Sequence, residues 1–145
     1  MTPRFGEPPQ KGLTYRRRPG IYVILPRGQD LLLTYQAGGH GEFQLPGGGI
    51  DPGESPRTAL YREVLEETGW SIASPRRFGT YRYFKYMPDY DLLAEKICHI
   101  YIARPIRQIA DPREADHSAL WMPAEIACSE LASPGDRAML ARLLS

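Results

Sequence analysis

The chain has 145 residues, with 18 lysines and arginines, 17 aspartates and glutamates, and a net charge of +1. This length predicts a single domain over residues 1–145 with a sizeable core, and the near-neutral charge excludes a global field toward nucleic acid or membrane. No apolar run approaches about 18 residues, so we expect no membrane association. Cys98 and Cys128 lack metal-ligand spacing, which favours reduced thiols and a cytoplasmic location.

The predicted elements follow from hydrophobic periodicity and turn residues. An irregular arm at about residues 1–14 holds scattered prolines and glycines. Strands are predicted at residues 20–26, 30–36, 42–45, 77–86, 96–104 and 119–122, helices at residues 56–68, 124–131 and 134–144, and an acidic loop at residues 111–118. Strands, one helix, more strands and then helices predict an α+β fold with no internal repeat.

Three glutamates are spaced to share one face of the first predicted helix. Glu63, Glu66 and Glu67 lie three and four residues apart, which places their carboxylates about 5–6 Å from one another on a helix. Like charges that close require a proton or a cation. Magnesium takes one or two carboxylates together with substrate phosphates, so the spacing indicates a metal-dependent enzyme acting on a phosphate compound.

The ends of this helix are marked by local sequence. Ser55 is a good N-cap, Pro56 suits the first helical position, and Gly69 is a left-handed stop. A helical wheel predicts which residues oppose the glutamates and enter the core; they are Tyr61, Leu65 and Thr68, with Val64 on the flank.

A longer pattern surrounds the glutamates. Residues 48–70 read G-x5-E-x7-R-E-U-x-E-E-x-G-U, where U is a bulky apolar residue. The fixed positions are filled by Gly48, Glu54, Arg62, Glu63, Val64, Glu66, Glu67, Gly69 and Trp70. This segment resembles the Nudix box, and the match is complete. The resemblance implies the Nudix fold, a mixed β-sheet sandwiched between α-helices, and hydrolysis of a nucleoside diphosphate linked to another group with Mg²⁺ or Mn²⁺.

The resemblance also implies roles for individual residues. Glu63 and Glu67 correspond to the principal metal ligands, and Glu66 to a further ligand or a base acting through water. The backbone carbonyl of Gly47 corresponds to another ligand. The two supporting residues are Arg62, which would orient the glutamates by a bidentate ion pair, and Glu54, which would stabilise that arrangement.

Many family members place the general base, or an extra ligand, outside the box. Glu114 and Asp116 lie in the loop before Trp121, where the family often carries an acid. His117 is an alternative in the same loop, and Glu95 is a further candidate at the start of a predicted strand.

Two features bear on the substrate. Residues 15–19 read Tyr-Arg-Arg-Arg-Pro, which resembles the Tyr-Arg-Pro segment of RNA pyrophosphohydrolases with two extra arginines. Arg16 and Arg18 are therefore candidate phosphate ligands ahead of the first strand. Tyr86 lies 16 residues after the box; a tyrosine near this offset resembles the dinucleoside polyphosphate hydrolase branch and is a candidate for stacking on a base.

These observations predict a metal-dependent pyrophosphohydrolase that cleaves a phosphoanhydride bond of a nucleotide. A dinucleoside polyphosphate or an RNA 5′-triphosphate end is the first expectation for its substrate. Two alternatives stay open: a dNTP pyrophosphohydrolase that sanitises the nucleotide pool, and a catalytically silent Nudix-fold binding module.

Overall fold

The computed structural model describes residues 2–38, 41–113 and 116–145. Its strands are β1 (Arg16–Ile24), β2 (Pro26–Arg27), β3 (Asp30–Gln36), β4 (Glu42–Gln44), β5 (Gly47–Gly49), β6 (Trp70–Met87), β7 (Leu92–Gln108) and β8 (His117–Pro123). Its helices are α1 (Pro56–Thr68), α2 (Ala124–Glu130) and α3 (Pro134–Leu144), with a 3₁₀ turn at Pro88–Tyr90. Strands and helices together give the α+β class that the sequence predicts.

The described strands form two sheets. The first sheet has the order β5-β1-β7-β6, with β1 parallel to β7 and the other pairs antiparallel. The second sheet has the order β2-β3-β4, and β8 pairs with the free side of β3. The parallel pair makes the first sheet mixed, as expected.

The core lies in two clusters that meet at β1. Val23 packs with Leu60 and Val64 of α1, whereas the next residue, Ile24, belongs to the cluster that holds Met139 and Leu140 of α3. Successive residues of a strand point to opposite faces of its sheet. The first sheet therefore separates α1 from α3.

Helix α1 has the predicted ends but a different buried face. The Ser55 side chain accepts a hydrogen bond from the Thr58 backbone N–H at 3.1 Å, and Gly69 closes the helix at φ 76°. The buried residues are Ala59, Leu60, Val64, Glu67 and Thr68. Tyr61 is 41% exposed, so its predicted place in the core is wrong. The helix face that packs against β1 contains Leu60 and Val64. The helix is therefore turned about its axis relative to the prediction, and Glu67 is buried.

The β6–β7 hairpin is much longer than the sequence predicts. The predicted strands covered residues 77–86 and 96–104, whereas β6 and β7 span Trp70–Met87 and Leu92–Gln108. Register shifts lie between Ser71 and Ile72, between Ala73 and Arg76, and between Arg77 and Gly79. Such bulges interrupt the period-two alternation that marks a strand, so the continuation was not visible in the sequence.

The amino-terminal arm is partly ordered by contact with β6. The Phe5 N–H donates to the Arg82 carbonyl at 2.9 Å, and the Arg82 N–H donates to the Pro3 carbonyl at 3.0 Å. The Phe5 ring meets Tyr81 edge-on, with centroids 5.6 Å apart. Because β6 is at the edge of the first sheet, its backbone groups are available for this pairing.

Candidate active site

Arg62 gathers three carboxylates of the box. Its Nε and Nη2 donate to the two oxygens of Glu54 at 2.7 and 2.9 Å, a bidentate pair. Its Nη1 donates to Glu63 at 2.9 Å and lies 3.4 Å from Glu66. The hydrogen bonds that Glu54 accepts from Arg62, with one from the Asp51 N–H, lower the pKa of Glu54 to about 2, and the hydrogen bond to Glu54 raises the pKa of Arg62. The guanidinium thus offsets repulsion among three acids.

Glu67 points away from this group, into the interior. Its residue is 6% exposed, and its Oε1 accepts a hydrogen bond from the Gly47 backbone N–H at 2.8 Å. Its Oε2 lies 3.6 Å from Nε2 of His117. The box carboxylates are therefore divided between the Arg62 group and a buried position at the end of β5.

The glycines before the helix allow β5 to approach the carboxylates. A Cβ on Gly48 would lie 2.6 Å from the Glu63 carboxyl carbon. Gly47 has φ +149°, and a Cβ there would collide with the carbonyl oxygen of Ile21. Any side chain at either position would displace the glutamates or β1, which explains why both positions are glycine.

The donor chemistry of the box suits a hard divalent cation, since carboxylate and carbonyl oxygens are what Mg²⁺ prefers. In the described part of the chain, however, no three His, Cys, Asp or Glu side chains are already arranged to hold a metal ion. Glu63 and Glu66 face Arg62, and Glu67 faces Gly47. In this arrangement the box carboxylates are held by partners from the protein itself.

A cavity of about 520 Å³ opens beside Glu67. Glu67, Gly47 and His117 line one end of it. Its walls are rich in aromatic and polar side chains from both sheets, the arm and the start of α3; they include Phe5, Tyr22, Tyr81, Tyr83, Phe84, Lys85, Lys96 and Asp136. This is the size of a small-molecule site.

Asp136 is a buried acid on the wall of this cavity that was not predicted from the sequence. Its carboxylate accepts a hydrogen bond of 2.6 Å from the Tyr81 hydroxyl, and Ser133 caps α3 by accepting from the Asp136 N–H at 3.2 Å. Burial raises the pKa of Asp136 to about 6, against the hydrogen bond from Tyr81, which lowers it. Ser133 followed three residues later by an acid is a capping signal, but nothing local indicates that the acid is buried.

The candidate bases outside the box have different surroundings. Glu114 lies outside the described residues. Asp116 is exposed, and its carbonyl accepts from the Ala37 N–H at 3.0 Å. Glu95 pairs with Arg82 at 3.1 Å. His117 is the described candidate that contacts a box glutamate.

The candidate substrate residues lie farther along the first sheet. Arg16 and Arg18 belong to β1 instead of preceding it, because the strand begins four residues earlier than predicted. The Arg18 guanidinium lies 5.1 Å from the centroid of the Tyr90 ring. Tyr86 is 51% exposed and donates to Asp91 at 2.7 Å; it is not among the described residues that line the cavity.

Comparison with known protein families identifies the class of protein that has this fold and this box. A family model described as the NUDIX domain matches residues 14–143. The chain therefore belongs to the Nudix family, and the family predicted from residues 48–70 is confirmed. None of the helices in the described residues is both long and apolar enough to cross a membrane.

Individual relatives and structures agree with this assignment. The chain is 36% identical over 80 residues to an RNA pyrophosphohydrolase of Proteus mirabilis (strain HI4320), covering 51% of this chain and 46% of that one. It is 36% identical over 73 residues to a Bacillus subtilis (strain 168) protein named as a candidate 8-oxo-dGTP diphosphatase, covering 50% and 49%. The chain thus spans about half the length of the curated relatives it matches. A NUDIX hydrolase structure from Nitrosomonas europaea has a TM-score of 0.73 at 19% identity, covering 87% of both chains, which confirms the Nudix fold.

Proposed function

We propose that this protein is a metal-dependent pyrophosphohydrolase that cleaves a phosphoanhydride bond of a nucleotide. The observation that carries the proposal is the junction of Glu67 and the cavity, because a box carboxylate held by the Gly47 N–H at 2.8 Å also lines a cavity of about 520 Å³. A nucleotide seated there would bring its phosphates to the box. The proposal includes a cytoplasmic location, motivated by two free cysteines.

In this proposal, Glu63, Glu66 and Glu67, with the Gly47 carbonyl, would hold Mg²⁺ or Mn²⁺. The ion would neutralise negative charge that develops on the anhydride oxygens. Arg62 would fix the direction of Glu63 through the hydrogen bond of 2.9 Å, while its bidentate pair with Glu54 fixes Arg62 itself. These contacts hold the side chains in place before substrate arrives, which is the main protein contribution to phosphoryl transfer.

A general base must take the proton of the attacking water. We propose that this base is a box glutamate or an acid of the loop before β8, where Glu114 and Asp116 stand. His117 is the first residue of β8, and its 3.6 Å contact with Glu67 makes it the alternative. Separate Glu114→Gln, Asp116→Asn and His117→Gln variants should identify the base by a changed acidic limb of the pH–rate profile.

For the substrate, we propose an RNA 5′-triphosphate end or a dinucleoside polyphosphate. The resemblance of residues 15–19 to RNA pyrophosphohydrolases and the named Proteus mirabilis relative support the first of these. The Bacillus subtilis relative favours a second candidate, hydrolysis of an oxidised dNTP.

A substrate panel tests the proposal. It should contain a 5′-triphosphorylated oligonucleotide, diadenosine tetraphosphate, 8-oxo-dGTP and unmodified dNTPs, each with magnesium and scored by product. We expect turnover of at least one of these compounds, loss of turnover in excess chelator, and recovery on adding magnesium. Full activity in excess chelator would contradict the metal requirement, and tight binding with no turnover would instead identify a silent binding module.

A further inference from the structure

We propose that Lys96, Lys85 and Arg18 form a second anion subsite at the end of the cavity away from Glu67. It would take the phosphate on the 3′ side of the nucleotide whose anhydride lies at Glu67. This inference rests on the proposed function and narrows it, because it selects the 5′ end of a polynucleotide among the candidate substrates.

The three cations share one face of three neighbouring strands. Lys96 of β7 is directly opposite Arg18 of β1 and, on its other side, opposite Tyr83 of β6. Lys85 is two residues beyond Tyr83, so it points to the same face of the sheet. Lys85 and Lys96 line the cavity. Arg18 is not among the described lining residues, but its strand position is paired with Lys96, and its guanidinium lies 5.1 Å from the centroid of the Tyr90 ring.

In the described part of the chain, no carboxylate forms an ion pair with these three cations. None of the three cations has an acid within 4.0 Å there, although Glu42 and Asp136 stand elsewhere on the cavity wall. On the opposite face of the same strands, Arg17 and Arg82 both pair with Glu95, at 3.7 and 3.1 Å. The basic residues on the cavity face are therefore the ones left to an outside anion.

Burial adds to this effect at Lys96. The side chain is half-buried, and burial together with the charges of Lys85 and Arg18 lowers the pKa of Lys96. Like charges held together in a partly buried wall disfavour one another. A bound phosphate would relieve all three at once through charge-assisted hydrogen bonds.

The position of the cluster indicates the shape of the ligand. Tyr22 of β1 is opposite Gly47, beside Glu67, and Arg18 lies four residues earlier on the same strand. At the rise of a strand, the Cα atoms of Tyr22 and Arg18, which mark the two ends, are about 13 Å apart. Tyr83 is opposite Lys96 at the basic end, and Tyr81, which is level with Cys98 between the two ends, is only 2% exposed. Their ring centroids are 6.3 Å apart, and both rings line the cavity. The cavity therefore suits a nucleotide that extends between two separated anions, with its base against the Tyr83 ring.

This arrangement discriminates among the candidate substrates. A nucleoside triphosphate carries all its phosphates on one side of the sugar. A dinucleoside polyphosphate carries them between its two bases. The first nucleotide of a 5′-triphosphorylated polynucleotide has phosphate on both sides, and only a nucleotide with a 3′-phosphate satisfies both ends of this cavity.

Binding calorimetry on the full chain tests the subsite without requiring turnover. Guanosine and adenosine 5′-diphosphates are compared with the same compounds carrying a 3′-phosphate. We expect the 3′-phosphate to tighten binding roughly tenfold, the scale of a hydrogen bond to a charged group. Lys96→Gln and Lys85→Gln should each weaken binding of the 3′-phosphorylated compounds more than binding of the plain diphosphates, and so reduce this gain. The matched control is Lys11→Gln, an exposed lysine of the arm, which should keep the full gain.

Equal affinity for the two compounds, or a gain that survives both lysine substitutions, would overturn the subsite. Turnover of the substrate panel with no such gain would leave the proposed function intact, whereas a gain without any turnover would support the subsite alone. A 5′-triphosphorylated trinucleotide distinguishes the source of the phosphate. A polynucleotide site should show a higher kcat/KM for it than for the 3′-phosphorylated nucleoside triphosphate, and the reverse order would contradict the polynucleotide.

Discussion

The two ends of the cavity treat charge in opposite ways. At the acidic end, Glu67 has the Gly47 N–H and His117 as partners, and the neighbouring box acids surround Arg62. At the basic end, Lys85 and Lys96 line the wall with no acid within 4.0 Å in the described residues. Repulsion is offset by the protein itself at one end and left to a ligand at the other. The acidic end is therefore prepared before binding, and changes there should affect the rate more than the affinity.

The largest expected effect is at Glu67. Glu67→Gln retains an oxygen for the Gly47 N–H but removes the negative charge at the proposed metal and phosphate site, so kcat should fall roughly 10²-fold or more. The melting temperature should change little, because the hydrogen bond is kept. Steady-state kinetics on the best substrate of the panel, with Glu130→Gln as an exposed control, measures the effect. An unaltered kcat would show that the charge of Glu67 is not used.

Arg62→Lys should be the next most damaging change. Lysine keeps the positive charge but cannot make the bidentate pair with Glu54 while also donating to Glu63. We expect kcat to fall by roughly tenfold or more, as for other residues that orient metal ligands. The exposed Arg107→Lys is the matched control. Equal kinetics for the two variants would mean that charge alone, and not the shape of the guanidinium, organises the box.

The same ion pair predicts a pH dependence of stability. The pKa of Glu54 is about 2 in the folded protein, whereas a glutamate side chain without these partners has a pKa of 4.5. Its stabilising contribution is therefore present above about pH 4.5 and lost as the pH falls toward about 2. Thermal melts of the wild type and Glu54→Gln across this range should converge as the pH falls. A constant difference would contradict the assigned shift.

A smaller effect, of opposite sign, is expected at Asp136. Its pKa is raised from 3.8 to about 6 by burial, so the folded protein retains a proton that the unfolded chain releases. Stability should decline as the pH rises through this window. Asp136→Asn should gain in melting temperature relative to wild type between pH 4 and 7, by roughly 2–8 °C. Asp89→Asn, an exposed acid, should show no such trend.

The smallest effect is expected at Tyr86. The Tyr86 ring is exposed and its hydroxyl donates to Asp91, whereas Tyr83 lines the cavity. We therefore transfer the proposed base stacking from Tyr86 to Tyr83. Tyr83→Ala should raise KM roughly tenfold, and Tyr86→Ala should leave it unchanged. A larger rise in KM for Tyr86→Ala would restore the original prediction.

The parts of this molecule that could be predicted from the sequence are those set by local chemistry. Ser55, Gly69 and the spacing of the glutamates act within one helix, and the structure has the helix ends as predicted. The orientation of that helix was not predictable in the same way, because Leu60 and Tyr61 are adjacent and both have large side chains that a core can accommodate. Contact with β1 decides which of them is buried.

The cavity wall shows why the remainder could not be predicted. Tyr81 and Asp136 are 55 residues apart in the chain and meet at 2.6 Å. Lys96 and Arg18 become neighbours only through the parallel pairing of β7 with β1. The periodic pattern of a strand does not indicate which distant segment pairs with it. Neither the burial of Asp136 nor the cluster of cations could therefore be predicted before the strands were placed.

The long-range strand pairing also sets the order in which the chain can fold during synthesis. Strand β1 pairs with β7, so Arg16 cannot be paired before Ala94 has been made. Strand β3 pairs with β8, which ends at Pro123. Long-range pairing of this kind is slow because the intervening chain must first be closed into a loop. A chain emerging from the ribosome therefore contains the whole Nudix box well before either sheet can be completed. During that interval the box residues are present, but the sheets that position them have not formed.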